Sequence, residues 1–324
     1  MVVTLTREGY IKRITKSAYR AQHRGGRGIK GMTTREEDIT ETMFLCSSHD
    51  MIMFFTTRGR VYRLKCYEVP EGSRSARGMN IVNLIQLQPD EKITNVIPTE
   101  EGFEGNVVMV TQKGIIKRTP VEEYKNVRKS GLIAITLDEG DNLAWTRITS
   151  GTDELIVATK NGQAIKFSEE DVRLVGRSAR GVKAIELTDD DIVVGMGIAK
   201  EGTKLLTITE DGKGRRTDVN EYRLQTRGGK GVRNFDVEKA GYVAGVRIVN
   251  DDDDIILISM SGIIIRMHVS DIAVQSRYAN GVKVMRLDSE DKAVTFAVTM
   301  REDAEDSDEE TTEELTEETV TNEE

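Results

Sequence analysis

Short apolar runs recur along residues 1–301, and each is closed by Thr or Ser, two variable residues and Gly. Val107-Val108-Met109-Val110 precedes Thr111-Gln112-Lys113-Gly114, and Ile255-Ile256-Leu257-Ile258 precedes Ser259-Met260-Ser261-Gly262. Runs this short, rich in β-branched residues and without a helical period, predict buried strands. The Thr-x-x-Gly that follows supplies the positive φ of a tight hairpin turn. A second strand comes next, as in Ile115-Ile116-Lys117-Arg118 or Ile263-Ile264-Ile265-Arg266. A loop then reaches another glycine and a third apolar stretch (182–187 is one), and a fourth strand such as 193–198 lies nearer the next unit.

The glycines measure the repeat. Gly9, Gly59, Gly114, Gly162, Gly212 and Gly262 close the first turn at intervals of 50, 55, 48, 50 and 50 residues. Gly28, Gly78, Gly131, Gly181, Gly231 and Gly281 follow them, five at an offset of 19 residues and one at 17. Four short strands in about fifty residues is the period of a β-propeller blade, and six units close a ring with few exposed sheet edges. The chain is therefore predicted to be all-β: a six-bladed, propeller-like disc with repeats near 1–50, 51–105, 106–153, 154–203, 204–253 and 254–301. Tyr19, Tyr124 and Tyr222 stand ten residues after their first glycines, where the other repeats have Val69, Val172 and Ile272, which marks a packing position.

Composition then narrows the function. With 38% hydrophobic and 31% charged residues, the 324-residue chain can bury a core. Its longest apolar runs are too short to span a bilayer, and its opening Val2-Val3-Thr4-Leu5 does not read as a secretory leader. Cys46 and Cys66 make no disulfide framework, and His23, His49 and His268 are scattered without a zinc spacing. No GxxxxGK[ST] phosphate loop is present. Arg277-Tyr278 is the one Arg-Tyr pair, but it falls in the ordinary loop before a second glycine. Asp251 to Asp254 reads as a solvated connector rather than a cation site. Neither a catalytic group, a metal nor a cofactor is expected.

A net charge of -9 argues against a nucleic-acid partner until its distribution is read. Residues 302–324 hold thirteen acidic residues and no basic one, the signature of a flexible acidic tail, while residues 1–301 carry about +4. Residues 1–35 contain nine Lys or Arg and a single acid, and the segments 58–77, 113–129, 160–183, 210–233 and 262–286 are each net positive. Six basic stations at one phase of a ring make a track for a polyanion. The candidate DNA contacts are Lys12, Arg13, Arg24, Arg27, Lys30, Arg63, Arg77, Lys117, Arg118, Arg128, Lys129, Lys166, Arg180, Lys183, Arg215, Arg216, Arg227, Lys230, Arg233, Arg266 and Lys283.

One loop is unlike the others. Gln22-His23-Arg24-Gly25-Gly26-Arg27-Gly28 sets a glycine pair between arginines, which lets backbone N–H groups and guanidinium groups approach phosphates together. The fifth repeat nearly copies it in Gln225-Thr226-Arg227-Gly228-Gly229-Lys230-Gly231, and the others keep fragments such as Ser75-Ala76-Arg77-Gly78 and Ser178-Ala179-Arg180-Gly181.

The heptad resembles the gyrase A box. With the six-repeat register and the acidic tail, the resemblance to the C-terminal domain of the A-type subunit of DNA gyrase covers essentially the whole chain. It implies a six-bladed β-pinwheel that bends duplex DNA around a basic rim with positive handedness, so that the parent type II topoisomerase introduces negative supercoils. It implies further that Gln22, His23, Arg24, Gly25, Gly26, Arg27 and Gly28 are needed for wrapping. The partners would be the cleavage-religation part of gyrase's A-type subunit together with its B-type subunit, in an A2B2 enzyme at the bacterial nucleoid in the cytoplasm. Catalytic tyrosine and ATPase would lie outside this chain. His23 departs from the box's usual basic second residue and would be mostly uncharged at neutral pH. Two alternatives are a protein-binding propeller of the kelch or WD kind and the C-terminal domain of topoisomerase IV's A-type subunit.

Overall fold

In a computed structural model the described residues are 1–15, 40–73, 76–100, 102–188, 190–288 and 290–300. The heptad 22–28, Lys30, Tyr19 and the acidic segment 302–324 lie outside them.

Each turn is built as its sequence dictates. In all six repeats the glycine N–H donates to the carbonyl of the Thr or Ser three residues before it, at 3.0–3.1 Å. The hydroxyl of that Thr or Ser accepts the N–H four residues on, as from Tyr10 to Thr6 at 3.0 Å and from Ile115 to Thr111 at 3.1 Å. The glycine itself sits at positive φ, +77° at Gly114, where a side chain is strained. The hydroxyl and the missing Cβ together account for the Thr-x-x-Gly signature.

The fold is a six-bladed β-propeller of antiparallel sheets. In the third blade the order from the centre outward is Leu143–Thr149, Asn106–Thr111, Ile115–Pro120 and Val182–Lys183. The first, second, fourth and fifth blades repeat this order, ending outside on Met79–Asn80, Leu132–Ile133, Val232–Arg233 and Val282–Lys283. The sixth shows three strands among the described residues, Ala293–Met300, Asp253–Ser259 and Ile264–His268.

Sequence repeat and blade are not the same unit. The outermost strand of each four-stranded blade comes from the following repeat, so Val182 and Lys183 pair with Ile116 and Ile115. The stretch expected inside its own repeat's blade is handed back to the one before it.

Five clusters of buried side chains fill the joints between successive blades. Val108, Val110 and Ile116 of the third blade, for example, pack on Leu155, Val157, Ile165 and Phe167 of the fourth. The second strand of a blade is therefore covered on both faces, as in Asn106–Thr111, where every residue is buried, and this is why its sequence is continuously apolar. Val69, Tyr124, Val172, Tyr222 and Ile272 are all buried, so the position ten residues after the first glycine is a packing position in those five repeats.

Candidate nucleic-acid interface

The innermost strands meet around the axis, which puts the two-residue outer strands and the loops preceding them on the perimeter. Each loop is clamped onto the neighbouring repeat. The fifth-repeat copy of the heptad shows how: Gly228 N–H donates to the Ala184 carbonyl at 2.7 Å, the Gly229 carbonyl accepts the Glu186 N–H at 2.9 Å, and Gln225 N–H reaches the Lys166 carbonyl at 2.8 Å. Gly228 and Gly231 both have positive φ, +84° and +75°. Glycine is required at Gly231 because a Cβ there would strike the Ala164 carbonyl.

The arginine of this copy is a brace. Arg227 donates through Nε to the Asp171 carbonyl at 2.9 Å and through Nη1 to the Lys183 carbonyl at 3.0 Å. Arg177 makes the corresponding bond to the Ile133 carbonyl at 3.2 Å, and Arg277 to the Arg233 carbonyl at 3.0 Å. One guanidinium in each of these loops thus fixes the rim strand of the repeat before it. Lys230, three residues beyond Arg227, is exposed.

Ten of the predicted DNA contacts are buried or half-buried, Arg77 and Arg227 among them. Lys12, Lys117 and Arg215 are fully buried. Lys12 Nζ donates to the Ser73 and Ala76 carbonyls at 3.2 and 2.8 Å. Lys117 Nζ donates to the carbonyls of Ala134, Gly176 and Arg177. Arg215 donates to the carbonyls of Ala279, Asn234 and Arg277 and stacks 4.1 Å over Phe235. These three occupy one position in alternate repeats and hold the next repeat's loop in place by caging its carbonyls. The pKa of Lys117 is lowered to about 7, first by burial and then by the Arg177 guanidinium.

The residue after each is also engaged. Arg13 donates to the Val69 carbonyl at 2.7 Å and pairs with Glu71 at 3.1 Å. Arg118, largely buried, reaches the Val172 and Gly151 carbonyls and Glu169. Arg216 binds the Ile272 carbonyl at 2.6 Å and Asp251. Lys166 pairs with Glu154 at 3.1 Å, and the exposed Arg266 pairs with Asp254 at 2.9 Å. Arg63 is half-buried. The solvated-connector expectation therefore fails at Asp254, which is buried and ion-paired, while Asp251 stays exposed as it pairs with Arg216.

A smaller set faces water. Arg128, Lys183, Lys230 and Lys283 are exposed and have no carboxylate partner among the described residues. Lys129 lies 3.8 Å from Glu68, and Arg233 lies 3.8 Å from Asp236. Arg180 is held by Asp138 through two parallel hydrogen bonds; Arg77, half-buried, lies 3.7 Å over the Tyr10 ring and 3.8 Å from Glu8. Lys183, Arg233 and Lys283 stand at one register position on three outer strands, which puts a cation at the same point of three consecutive blades. Asn80 and Ile133 interrupt the series.

Three rim residues carry no basic signal in the sequence and are missed by it. Leu174, Leu224 and Val274 occupy one loop position in consecutive repeats and are 51%, 54% and 50% exposed. Their recurrence is visible in the sequence, but an aliphatic residue in an all-β chain reads as core. Arg173 and Arg223, beside Leu174 and Leu224, are exposed as well.

The chain matches the family described as the DNA gyrase C-terminal domain, beta-propeller, over residues 1–47, 50–100, 105–150, 153–200, 203–250 and 253–300. The A-type subunit of DNA gyrase from Clostridium acetobutylicum is 55% identical over 184 residues, 56% of this chain and 22% of that protein. Its counterpart from Halalkalibacterium halodurans is 52% identical over 184 residues, again 56% of this chain and 22% of that protein. The matched segment is thus about a fifth of these relatives' length. Among solved structures, the C-terminal domain of a DNA topoisomerase IV superposes with a TM-score of 0.81 at 27% identity, over 94% of each chain. A DNA gyrase A C-terminal domain superposes with a TM-score of 0.72 at 27% identity, over 92% of this chain and 99% of the other.

Proposed function

The chain belongs to the DNA gyrase C-terminal domain family of β-propellers, and from that premise we propose that it binds duplex DNA along its rim and wraps it with positive handedness. The observation that carries the proposal is the row of exposed cations Lys183, Arg233 and Lys283 at one register position of successive outer strands. Their spacing follows the perimeter, and among the described residues only Arg233 of the three has a carboxylate within 4 Å, Asp236 at 3.8 Å.

The dimensions fit a wrap. A compact domain of about 300 residues has a radius near 25 Å, and with the duplex's own half-width a full circuit takes on the order of 60 bp. Bending DNA through a full circuit over a path shorter than its persistence length of about 150 bp costs on the order of 30 kcal/mol by a smooth elastic estimate. A track of many phosphate contacts offsets that cost; one contact point does not. Binding is accordingly sequence-tolerant and steeply salt-dependent.

The domain then acts as the DNA-presenting part of a larger polypeptide that joins a cleavage-religation region and works with the B-type subunit of gyrase. Gln22 to Gly28 set the wrap, and residues 302–324 compete for the rim. Gyrase is preferred to topoisomerase IV on the 55% identity to a gyrase polypeptide of the A type, since both kinds of domain share the shape. The test is ligation of nicked circles with the bound protein, followed by linking-number measurement. A positive linking difference that grows with protein is expected, and bound DNA with no linking difference refutes wrapping. Replacing residues 22–28 with alanine should remove the linking difference more than the affinity.

A further inference from the structure

Leu174, Leu224 and Val274 each stand twelve residues after the first glycine of their repeat, and all three are exposed. One exposed aliphatic residue is ordinary on a protein surface. A register-matched series of three is not. They bridge Arg118, Lys166 and Arg216 on the third strand, counted from the centre, of blades three, four and five. Lys183, Arg233 and Lys283 pair with Ile115, Gln163 and Lys213 on those same strands. An aliphatic row and a cationic row thus run side by side, three positions apart on each blade, or about 10 Å at roughly 3.3 Å per residue.

Among the described residues the two rows also stop together. The second and third repeats have Glu71 and Asn126 at the aliphatic offset. The outer strands that those repeats give to blades one and two carry Asn80 and Ile133 at the cationic position. Two features of different chemistry that share their extent point to one ligand that uses both.

The loops are fixed in place. Arg118 Nε donates to the Val172 carbonyl and Arg216 Nε to the Ile272 carbonyl, two residues ahead of Leu174 and Val274. The peptide groups flanking Val274 are tied to Arg216 as well, through the Ala273 carbonyl at 3.1 Å and the Gln275 N–H at 2.8 Å. Contact with side chains on a backbone held this way costs little ordering.

A circuit of about 60 bp shared by six blades gives each blade about 10 bp, close to one helical turn. Equivalent positions on successive blades then meet the same side of a wrapped duplex. We infer that Leu174, Leu224 and Val274 pack on the deoxyribose groups at the edge of the inward-facing groove, once per turn, while the cations beside them hold the phosphates. The inference rests on the wrapping reading above. Insertion between base pairs is the wrong contact for a wrap, because an apolar wedge in the minor groove kinks the duplex toward its major groove, away from the protein. Sugar faces are alike in every sequence, so the contact keeps binding sequence-tolerant. It also adds affinity that salt does not screen, since burying aliphatic surface releases no counterions.

The test titrates the full chain onto a labelled duplex of about 60 bp over a salt series, with calorimetry over a temperature series. Leu174→Ser, Leu224→Ser and Val274→Ser combined should weaken binding about fivefold per residue, roughly a hundredfold in all. The salt slope should stay that of the parent, and the heat-capacity change on binding should become less negative. The linking difference per bound protein should fall. Met at the same three positions keeps apolar surface and should restore both affinity and heat capacity. A folded Ser variant with the parent's affinity, which a row serving a protein partner would give, overturns the inference. So does a loss that appears in the salt slope with the heat capacity unchanged, or a Met variant as weak as the Ser one. A parent that binds DNA without a linking difference refutes wrapping and this inference together. A parent that wraps, beside a Ser variant that wraps equally, removes this inference alone.

Discussion

Lys183, Arg233 and Lys283 give the most direct test of the division between rim and interior cations. All three are exposed and occupy the second residue of an outer strand. Changing them together to Gln removes three phosphate contacts without opening the core. Each phosphate neutralised adds about 0.9 to the slope of log affinity against log salt, so the slope should fall by about 2.7. Across a salt range of about 50 to 200 mM, that difference compounds to roughly a 40-fold change in relative affinity. The assay is fluorescence anisotropy on a labelled duplex of about 60 bp, long enough for one circuit. Lys117→Met is the matched control, because its ammonium is caged by the carbonyls of Ala134, Gly176 and Arg177. It should lower stability and leave the slope unchanged. A triple variant with the parent's slope, or a folded Lys117→Met protein that loses as much slope as the triple variant, would refute the assignment.

Gly181→Ala should cost at least about 2 kcal/mol, because its φ is +107° and a Cβ would lie 2.5 Å from the Ile116 carbonyl; denaturant unfolding within about 0.5 kcal/mol of the parent would contradict this. The lowered pKa of Lys117, about 7 against the ordinary 10.5, predicts a pH effect. Between those values the unfolded chain binds a proton that the folded chain lacks, so this group's contribution to stability rises with pH. Unfolding curves of the parent and Lys117→Met should therefore diverge from about pH 7 upward, and parallel profiles count against the reading. The Cys46 thiol, 3.1 Å from Cys66 Sγ, has its pKa pushed up to about 12, first by burial and then by that hydrogen bond. Alkylation by iodoacetamide near pH 8 should be about tenfold or more slower than for an exposed cysteine, and rapid labelling would show the site to be open.

Blade number and turn chemistry are legible in the sequence because each rests on residues within one repeat. Thr111 and Gly114 form their turn alone, and their sixfold recurrence needs no knowledge of the ring. What is not legible depends on residues a full repeat away. Lys117 and Lys183 read alike as basic residues near short strands, yet one meets carbonyls about sixty positions ahead while the other meets water. Charge counts cannot separate them, since a cage of backbone oxygens leaves no trace in side-chain chemistry. The outer strands are hidden for a similar reason. A pair such as Val182–Lys183 is too short to carry a period, and its partner Ile115–Pro120 belongs to the preceding unit. Leu174 and Leu224 do not stand out because hydrophobicity signals interior by default.

The borrowed outer strand also bears on how such a ring changes size. A cut inside any one repeat leaves its predecessor's sheet a strand short, which penalises partial deletions. Removing one whole period is different. The predecessor then receives an equivalent strand from the next copy, as Gly181-Val182-Lys183 and Gly231-Val232-Arg233 are interchangeable in position. Stitching by exchange therefore makes the repeat, rather than the blade, the unit that can be gained or lost, and circumference becomes adjustable in whole steps.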